Sequence, residues 1–174
     1  MPTSNEIDFE QIKHSKLSEN DDLSSFDCSL DDEMGINEFI HKEALAYQSE
    51  RLGTTYLFRY HDDIVGFVTI SMGDIRAKEV EDEDQMKQSI RTYPALYIGR
   101  LGVDNEYRGR DIGKHICRWC VGFAVDISER IGCRYVTLHT TKKLFSFYKR
   151  CNFKVIAGGE EVPTPMMYQR TVFN

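Results

Sequence analysis

The sequence lacks any apolar run long enough to cross a membrane, and its polar start, MPTSNEIDFEQ, does not resemble a signal peptide. It also lacks an even, regularly spaced set of cysteines, since the five present stand at positions 28, 117, 120, 133 and 151. This pattern excludes a secreted disulfide framework. Cys117 and Cys120 form a C-x-x-C pair with no second pair, which favours buried thiols over a zinc or redox site. We therefore expect a cytoplasmic location and no metal.

An excess of positive charge is also missing. The chain has 22 Lys and Arg against 28 Asp and Glu, a formal net charge of −6. This balance makes a membrane or nucleic-acid partner unexpected, although it does not exclude tRNA or a local basic patch. No repeat or low-complexity linker divides the 174 residues. We expect one domain over 1–174, with 1–5 frayed and 73–91 a charged surface excursion.

Hydrophobic periodicity predicts alternating strands and helices. A helix is expected over 29–53, with Ser29 as its N-cap and Gly53 as its stop. Expected strands cover 7–17, 54–60, 62–71, 93–103, 133–140, 153–158 and 166–173, and further helices cover 113–132 and 142–152. This order predicts a mixed α/β (α+β) fold, in which a single central mixed sheet carries helices on its faces.

The stretch RLGVDNEYRGRDIGK, from Arg100 to Lys114, joins an apolar strand to a long helix. Backbone N–H groups at a helix start lack helical partners and carry the positive end of the helix dipole, so they bind phosphate. Gly109 and Gly113 allow close approach of a ligand, and Arg108, Arg110 and Lys114 add charge. The spacing fits neither a nucleoside triphosphate loop nor a Rossmann turn. An ordinary tight loop before a helix is the alternative interpretation.

Two blocks in this region resemble the GNAT superfamily of N-acetyltransferases. LGVDNEYRGRDIGKHI is similar to its acyl-CoA signature, Arg/Gln-x-x-Gly-x-Gly/Ala, with Arg108, Asp111 and Gly113 at the three marked positions. LFSFYKRCNFKVI resembles the downstream block that usually ends Phe-Tyr-x-x-x-Gly-Phe. The resemblance covers roughly 54–172 and implies a mostly antiparallel sheet with one splayed parallel pair. The segment 26–48 is more loosely similar to the branch of GNAT toxins that acetylate aminoacyl-tRNA.

The resemblance implies acetyl-CoA as the cofactor. Its pantetheine arm is expected between strands 95–103 and 134–140, on the backbone of Leu101 and Val103. Its pyrophosphate is expected on the loop formed by Arg108, Gly109, Arg110, Asp111, Ile112, Gly113 and Lys114. Asp111 departs from the family glycine; turned to solvent, it can tolerate left-handed dihedrals and leave its N–H for phosphate. Asn152 replaces a second family glycine, at a helix end where Asn is the next choice.

The resemblance also implies catalytic roles. Tyr148 is the candidate acid that protonates the departing thiolate, because a phenol has a pKa of about 10; packing beside Phe145 and Phe147 is the alternative. The Val103 N–H is the implied oxyanion donor. His139 is the candidate general base, with a structural histidine, ordered water or an already neutral amine as alternatives. Arg100 suits either an acidic ligand group or a buried carboxylate partner.

These features predict an acetyl-CoA-dependent N-acetyltransferase that moves an acyl group from the thioester to a primary amine by direct attack. The expected acceptor is an amine-bearing small molecule or peptide, and a homodimer is compatible with the sequence. Two other hypotheses for an acyl-CoA protein are a GNAT toxin that acetylates aminoacyl-tRNA and a non-catalytic acyl-CoA sensor. An interaction domain without a cofactor is the remaining hypothesis.

Overall fold

The computed structural model describes residues 6–81 and 89–171 of the chain. Its strands are β1 (Ile12–Lys16), β2 (Thr54–Tyr60), β3 (Asp63–Arg76), β4 (Thr92–Val103), β5 (Tyr135–His139), β6 (Lys154–Val155) and β7 (Met166–Arg170). Its α-helices are α1 (Ile36–Lys42), α2 (Ala44–Ser49), α3 (Ile112–Ser128) and α4 (Phe145–Arg150). Short 3-10 turns cover Phe9–Gln11, Ala77–Glu79, Asn105–Tyr107, Lys142–Leu144 and Gly159–Glu161.

The strands form one seven-stranded mixed sheet in the order β1-β2-β3-β4-β5-β7-β6. The pairs β1–β2, β2–β3, β5–β7 and β6–β7 are antiparallel. The pair β4–β5 is parallel, with a register from Ala95↔Tyr135 to Ile98↔Leu138. The parallel strands are joined through α3, as a parallel connection requires a crossover. The predicted fold class is therefore confirmed.

Two compact units emerge from the contacts within the chain, the first comprising residues up to Ile70 together with Arg100–Ile116. Its core packs α1 and α2 against β2 and β3, with Phe26, Phe39, Leu57 and Phe67 nearly inaccessible to solvent. Burying large aromatic and aliphatic side chains is the main favourable term in such a core. The hydroxyls of two buried threonines on β2 and β3 satisfy each other at 2.7 Å.

The second unit comprises Ser71–Gly99 and the chain from Cys117 onward. Its core includes Ile75, Tyr93, Tyr135 and Tyr168, and the guanidinium of Arg134 lies over the rings of Tyr93 and Tyr135. Such a cation is held by the negative faces of the two rings. The prediction of one domain over 1–174 stays a prediction.

The predicted surface excursion over 73–91 begins as regular structure. Strand β3 continues to Arg76, and Ile75 and Val80 are almost fully buried. The apolar residues that anchor this segment are isolated among charges, so periodicity did not reveal them. Residues 82–88, like the frayed ends predicted at 1–5, lie outside the described residues.

The helix predicted over 29–53 starts later than expected. The carboxylate of Asp32 accepts hydrogen bonds from the amides of Ile36 and Asn37 at 2.9 and 2.8 Å, and Gly35 adopts a left-handed φ of 69°. The Ser29 N-cap prediction was therefore wrong, because Asp32 reaches across the turn to satisfy the first helical amides. The predicted stop at Gly53 was also late, since α2 ends at Ser49.

The five cysteines are all buried free thiols, as predicted. Within residues 6–81 and 89–171, no group of His, Cys, Asp or Glu could hold a metal ion. The described part of the chain contains no helix long and apolar enough to span a membrane.

Gly66 on β3 provides a test of the first unit's packing. A Cβ built there would lie 2.7 Å from Ile116 Cδ1 and 2.9 Å from the Gly102 carbonyl oxygen. We expect Gly66→Ala to lower the free energy of unfolding by about 1–3 kcal/mol, because the backbone oxygen cannot move away freely. Gly122→Ala, in open space on α3, is the control and should raise stability by about 0.5–1 kcal/mol. Equal effects in thermal or urea unfolding would contradict the packing described.

Candidate active site

The loop that follows β4 is anchored by the buried side chain of Asp104. One carboxylate oxygen accepts from the Asp27 amide at 3.0 Å, and the other accepts from the Glu106 amide at 2.9 Å. The Asp104 amide donates to the Val65 carbonyl at 3.0 Å. A buried carboxylate is stable only when its oxygens are hydrogen-bonded. The start of the loop is therefore fixed to β3 and to the segment before α1.

A second anchor is formed by Tyr107 and Asp63. The Tyr107 hydroxyl donates to the Asp63 carboxylate at 2.6 Å, and this bond is the main reason that the pKa of Tyr107 is raised to about 12. The Arg110 guanidinium lies 5.1 Å from the centroid of the Tyr107 ring. This cation–π contact holds the Arg110 head group beside the loop.

Arg108 has internal partners. Its guanidinium donates to the Leu30 carbonyl and lies 4.0 Å from the Asp31 carboxylate. The predicted phosphate-binding role of this side chain stays a prediction; in the structure the side chain ties the loop to the segment before α1. Its backbone remains part of the candidate phosphate site.

The backbone amides from Arg108 to Lys114 donate to no acceptor within residues 6–81 and 89–171. Gly109 and Asp111 both adopt left-handed conformations, with φ of 73° and 61°. Such a turn followed by the start of α3 aims several free amides outward, an arrangement that fits a diphosphate. Asp111 is solvent-exposed, and its own carbonyl accepts the His115 amide at 2.9 Å. The residue that replaces the family glycine thus keeps the glycine-like conformation.

The end of β4 supplies the predicted pantetheine positions. Leu101 and Val103 are both half-buried. The guanidinium of Arg100 lies 4.9 Å from the Phe39 ring centroid. Of the two predicted roles for Arg100, neither describes this cation–π contact, which sequence alone could not reveal.

Tyr148 lies on α4 in a buried cluster of the second unit. Its ring packs edge-on against Phe147 and Phe153, with centroids 4.9 and 5.8 Å away. Burial, reinforced by the nearby thiols of Cys117, Cys151 and Cys120, raises the pKa of Tyr148 well above its usual value. The phenol is therefore protonated across the ordinary pH range, as a proton donor must be.

The helix that carries Tyr148 ends at Arg150, two residues before the predicted end at Asn152. Asn152 has a left-handed φ of 69°, and the following Phe153 amide donates to the Tyr148 carbonyl at 3.0 Å. Asn accepts this conformation at a helix end where most residues do not. The substitution for the family glycine therefore leaves the local turn intact.

A basic stretch surrounds Tyr148 along the chain. Residues 131–159 contain no Asp or Glu, and their cations are Arg134, Lys142, Lys143, Lys149, Arg150 and Lys154. Lys142, Lys143, Lys149 and Arg150 are exposed on the 3-10 turn and on α4. The local charge is thus opposite in sign to the net charge of −6.

His139 is the last residue of β5 and is exposed. Its Nδ1 lies 3.2 Å from the Tyr97 hydroxyl oxygen. Thr137 and Thr140 beside it are buried, and their hydroxyls have no hydrogen-bond partner within the described residues. Sequence patterns did not indicate Tyr97 or either threonine. The parallel register of β4 and β5 places Tyr97 opposite Thr137, and this register cannot be read from local sequence.

Comparison with known proteins identifies relatives across most of the chain. A model of the acetyltransferase (GNAT) family matches residues 19–153. A tRNA-acetylating toxin of Mycobacterium tuberculosis (strain ATCC 25618 / H37Rv) is 23% identical over 141 residues, covering 80% of this chain and 82% of the toxin.

Solved structures of similar fold include AtaT complexed with acetyl-methionyl-tRNAfMet, with a TM-score of 0.79, 18% identity and coverage of 92% of this chain and 95% of that one. Another is AtaTR bound with AcCoA, with a TM-score of 0.73, 19% identity and coverage of 93% and 95%. These likenesses agree with the predicted fold, and the family match supports the predicted acyl-CoA cofactor.

Asp111 allows a test of the candidate phosphate loop. We expect Asp111→Gly to bind CoA about fivefold more tightly, because it removes a negative charge that would lie near a pyrophosphate bound to this loop. Asp111→Asn is the matched variant, since Asn also tolerates a left-handed φ but carries no charge. A gain in both variants by isothermal titration calorimetry identifies charge as the cause. Unchanged affinity in both would contradict the assignment of this loop to the pyrophosphate.

Proposed function

The chain belongs to the acetyltransferase (GNAT) family, and we propose that it transfers the acetyl group of acetyl-CoA to a primary amine by direct attack. The observation that carries this proposal is the row of unpartnered backbone amides from Arg108 to Lys114 at the start of α3. Amides in this position bind phosphate oxygens without help from side chains. They account for the recognition of the pyrophosphate even though the Arg108 guanidinium is bonded elsewhere.

The residues of the loop and of β4 hold the cofactor in this proposal. Gly109, Asp111, Ile112 and Gly113 contribute backbone amides, and Arg110 and Lys114 contribute positive charge. The backbone of Leu101 and Val103 pairs with the pantetheine amides. Acetyl-CoA supplies the acetyl group as an activated thioester.

Two groups of the chain serve the reaction itself. The Val103 N–H donates to the thioester carbonyl oxygen, where negative charge grows as the amine attacks. Tyr148 gives its proton to the sulfur as the carbon–sulfur bond breaks, and the proton that the attacking nitrogen loses restores the phenol, whose raised pKa favours the protonated form. These two residues belong to different compact units, and each role is proposed from the residue's own surroundings and the family resemblance.

The acceptor amine must be neutral in order to attack. An α-amine, with a pKa of about 7.8, is roughly one-third neutral at pH 7.5, whereas a lysine side chain, with a pKa of about 10.4, is neutral in about one molecule in a thousand. An α-amine therefore reacts without strong demand for a general base. The larger neutral fraction of an α-amine favours it as the acceptor, because the chain offers little to deprotonate a lysine. Strand β4 carries no carboxylate, and the sequence indicated His139 as its candidate base.

We propose that the α-amine belongs to the aminoacyl group of a charged tRNA. The relatives support this, since one is a tRNA-acetylating toxin and another was solved with acetyl-methionyl-tRNAfMet. The basic stretch of residues 131–159, which carries the exposed cations next to Tyr148, supplies the positive charge that phosphate backbones attract. The chain as a whole is acidic, but binding of a phosphate backbone depends on the local charge, which is positive in this stretch.

Tyr148→Phe tests the proton donor. We expect turnover to fall by about 100-fold or more with CoA affinity unchanged within about twofold, because only the phenolic proton is lost. Since burial raises the pKa of Tyr148, wild-type turnover should show no loss of this proton between pH 7 and about 9.5. Tyr60→Phe, which removes the same atom from a half-buried tyrosine on β2, is the control. Full activity of Tyr148→Phe on several acceptors would remove Tyr148 from the mechanism.

Acetyl transfer from labelled acetyl-CoA to a panel of acceptors tests the substrate class. We expect label on aminoacyl-tRNA and none on deacylated tRNA, because only the former carries an α-amine. The double variant Lys142→Glu, Lys149→Glu should raise the KM for aminoacyl-tRNA about tenfold and flatten its salt dependence. The double variant Lys13→Glu, Lys16→Glu on the exposed strand β1 is the charge-matched control.

The outcomes of this panel separate the competing functions. Transfer to small amines or peptides but not to aminoacyl-tRNA would leave the acetyltransferase in place and reject the tRNA acceptor. Binding of acetyl-CoA without release of free CoA for any acceptor would favour the non-catalytic sensor.

A further inference from the structure

Tyr97 and His139 form a polar contact on the sheet of the second unit. The Tyr97 hydroxyl oxygen lies 3.2 Å from His139 Nδ1. The two rings meet edge-to-face, with centroids 5.8 Å apart and an interplanar angle of 73°. This arrangement is a side-chain pair on neighbouring strands, a contact that orients both rings.

The contact lies where the parallel pairing of β4 and β5 ends. Tyr97 stands opposite Thr137, the last pair of the register is Ile98↔Leu138, and His139 terminates β5. Strand β4 continues to Val103 beyond this point. His139 itself is exposed at the end of β5, so its ring is accessible to a bound molecule.

The direction of the hydrogen bond determines which ring nitrogen carries the proton. A phenol O–H is a good donor, with a pKa of about 10, and the unprotonated nitrogen of a neutral imidazole is a good acceptor. In the reverse hydrogen bond the imidazole N–H would donate to the phenol oxygen. That N–H is a weaker donor than the phenol, and the phenol oxygen is a weaker acceptor than the imidazole nitrogen. When the Tyr97 hydroxyl donates to Nδ1, the proton of the neutral ring resides on Nε2.

We infer that Tyr97 is a positioning residue that holds neutral His139 in the Nε2–H tautomer, so that His139 presents a hydrogen-bond donor to the acceptor. A ring in this tautomer has its free electron pair directed at Tyr97, so it cannot remove a proton through Nε2. Within the described residues, Nε2 has no hydrogen-bond partner. The ring therefore offers its N–H to an oxygen of the acceptor, such as the carbonyl beside an α-amine.

This inference rests on the proposed function only for the identity of the acceptor, because the tautomer is a property of the protein alone. It changes the role expected for His139 from general base to acceptor binding. In an aminoacyl ester only Cα separates the α-amine from the carbonyl group, so a single N–H donor to the carbonyl oxygen can orient that amine. Loss of one such hydrogen bond typically weakens binding about three- to tenfold.

The tautomer can be read directly by two-bond ¹H–¹⁵N correlation NMR on the ¹⁵N-labelled protein near pH 8. His139→Gln assigns the signal among the five histidines. We expect Nδ1 at the shift of an unprotonated nitrogen and Nε2 at that of a protonated one, with Tyr97→Phe moving both toward the average of the two tautomers. A protonated Nδ1 in the wild type, or unchanged shifts in Tyr97→Phe, would overturn the inference.

Acceptor kinetics provide the second measurement. We expect His139→Ala to raise the acceptor KM about three- to tenfold with kcat less affected, and His139→Gln to recover part of that loss, because its amide N–H replaces the Nε2–H donor. Tyr97→Phe should shift the acceptor KM in the same direction as His139→Ala. A fall in kcat of about 100-fold in both His139 variants, with KM unchanged, would identify a base and reject the inference. Absence of any acetyl transfer by the wild type would reject the proposed function, while the NMR result would still decide the tautomer.

Discussion

The buried carboxylate of Asp104 is the constraint on which the candidate phosphate loop depends. It accepts one amide from the segment before α1 and one from the turn that follows β4. Two further hydrogen bonds hold the loop, one from the Tyr107 hydroxyl to the Asp63 carboxylate and one from the Arg108 guanidinium to the Leu30 carbonyl. The amides that follow have no internal acceptor among the described residues. The backbone N–H groups at the start of α3 are thus left unpaired, because the polar groups of the preceding residues already bond with one another and with neighbouring segments.

The same anchoring explains why side-chain charge is secondary at this loop. Arg108 is committed to the Leu30 carbonyl and Arg110 to the Tyr107 ring. Backbone amides at a helix start are fixed in direction and lose no side-chain entropy on binding. In the proposed function such a loop would recognise the diphosphate chiefly through its backbone amides, and the exposed lysines and arginines of residues 131–159 would serve the proposed tRNA acceptor.

Sequence patterns predicted the corner between β4 and α3 and the buried position of the cysteines, and they allowed a left-handed conformation at Asp111, because each depends on local chemistry. They placed the first helix too early, since the carboxylate that caps it comes from Asp32, three residues before Gly35. The Tyr97–His139 contact was not predictable from local pattern, as it depends on a parallel register between strands separated by α3. Arg108 was assigned to phosphate, although its partners come from a segment more than 70 positions earlier.

The surroundings of Tyr148 bear on whether a phenol can serve as the acid. Burial raises its pKa well above that of a free phenol, which taken alone would make it a reluctant donor to a thiolate. The same apolar surroundings also penalise a thiolate, as the raised pKa of Cys120, at 0% exposure, illustrates. Because desolvation disfavours both anions, the difference between the two pKa values changes less than either value. In the proposed reaction, proton transfer from Tyr148 to a sulfur in equally apolar surroundings would therefore be closely matched in free energy.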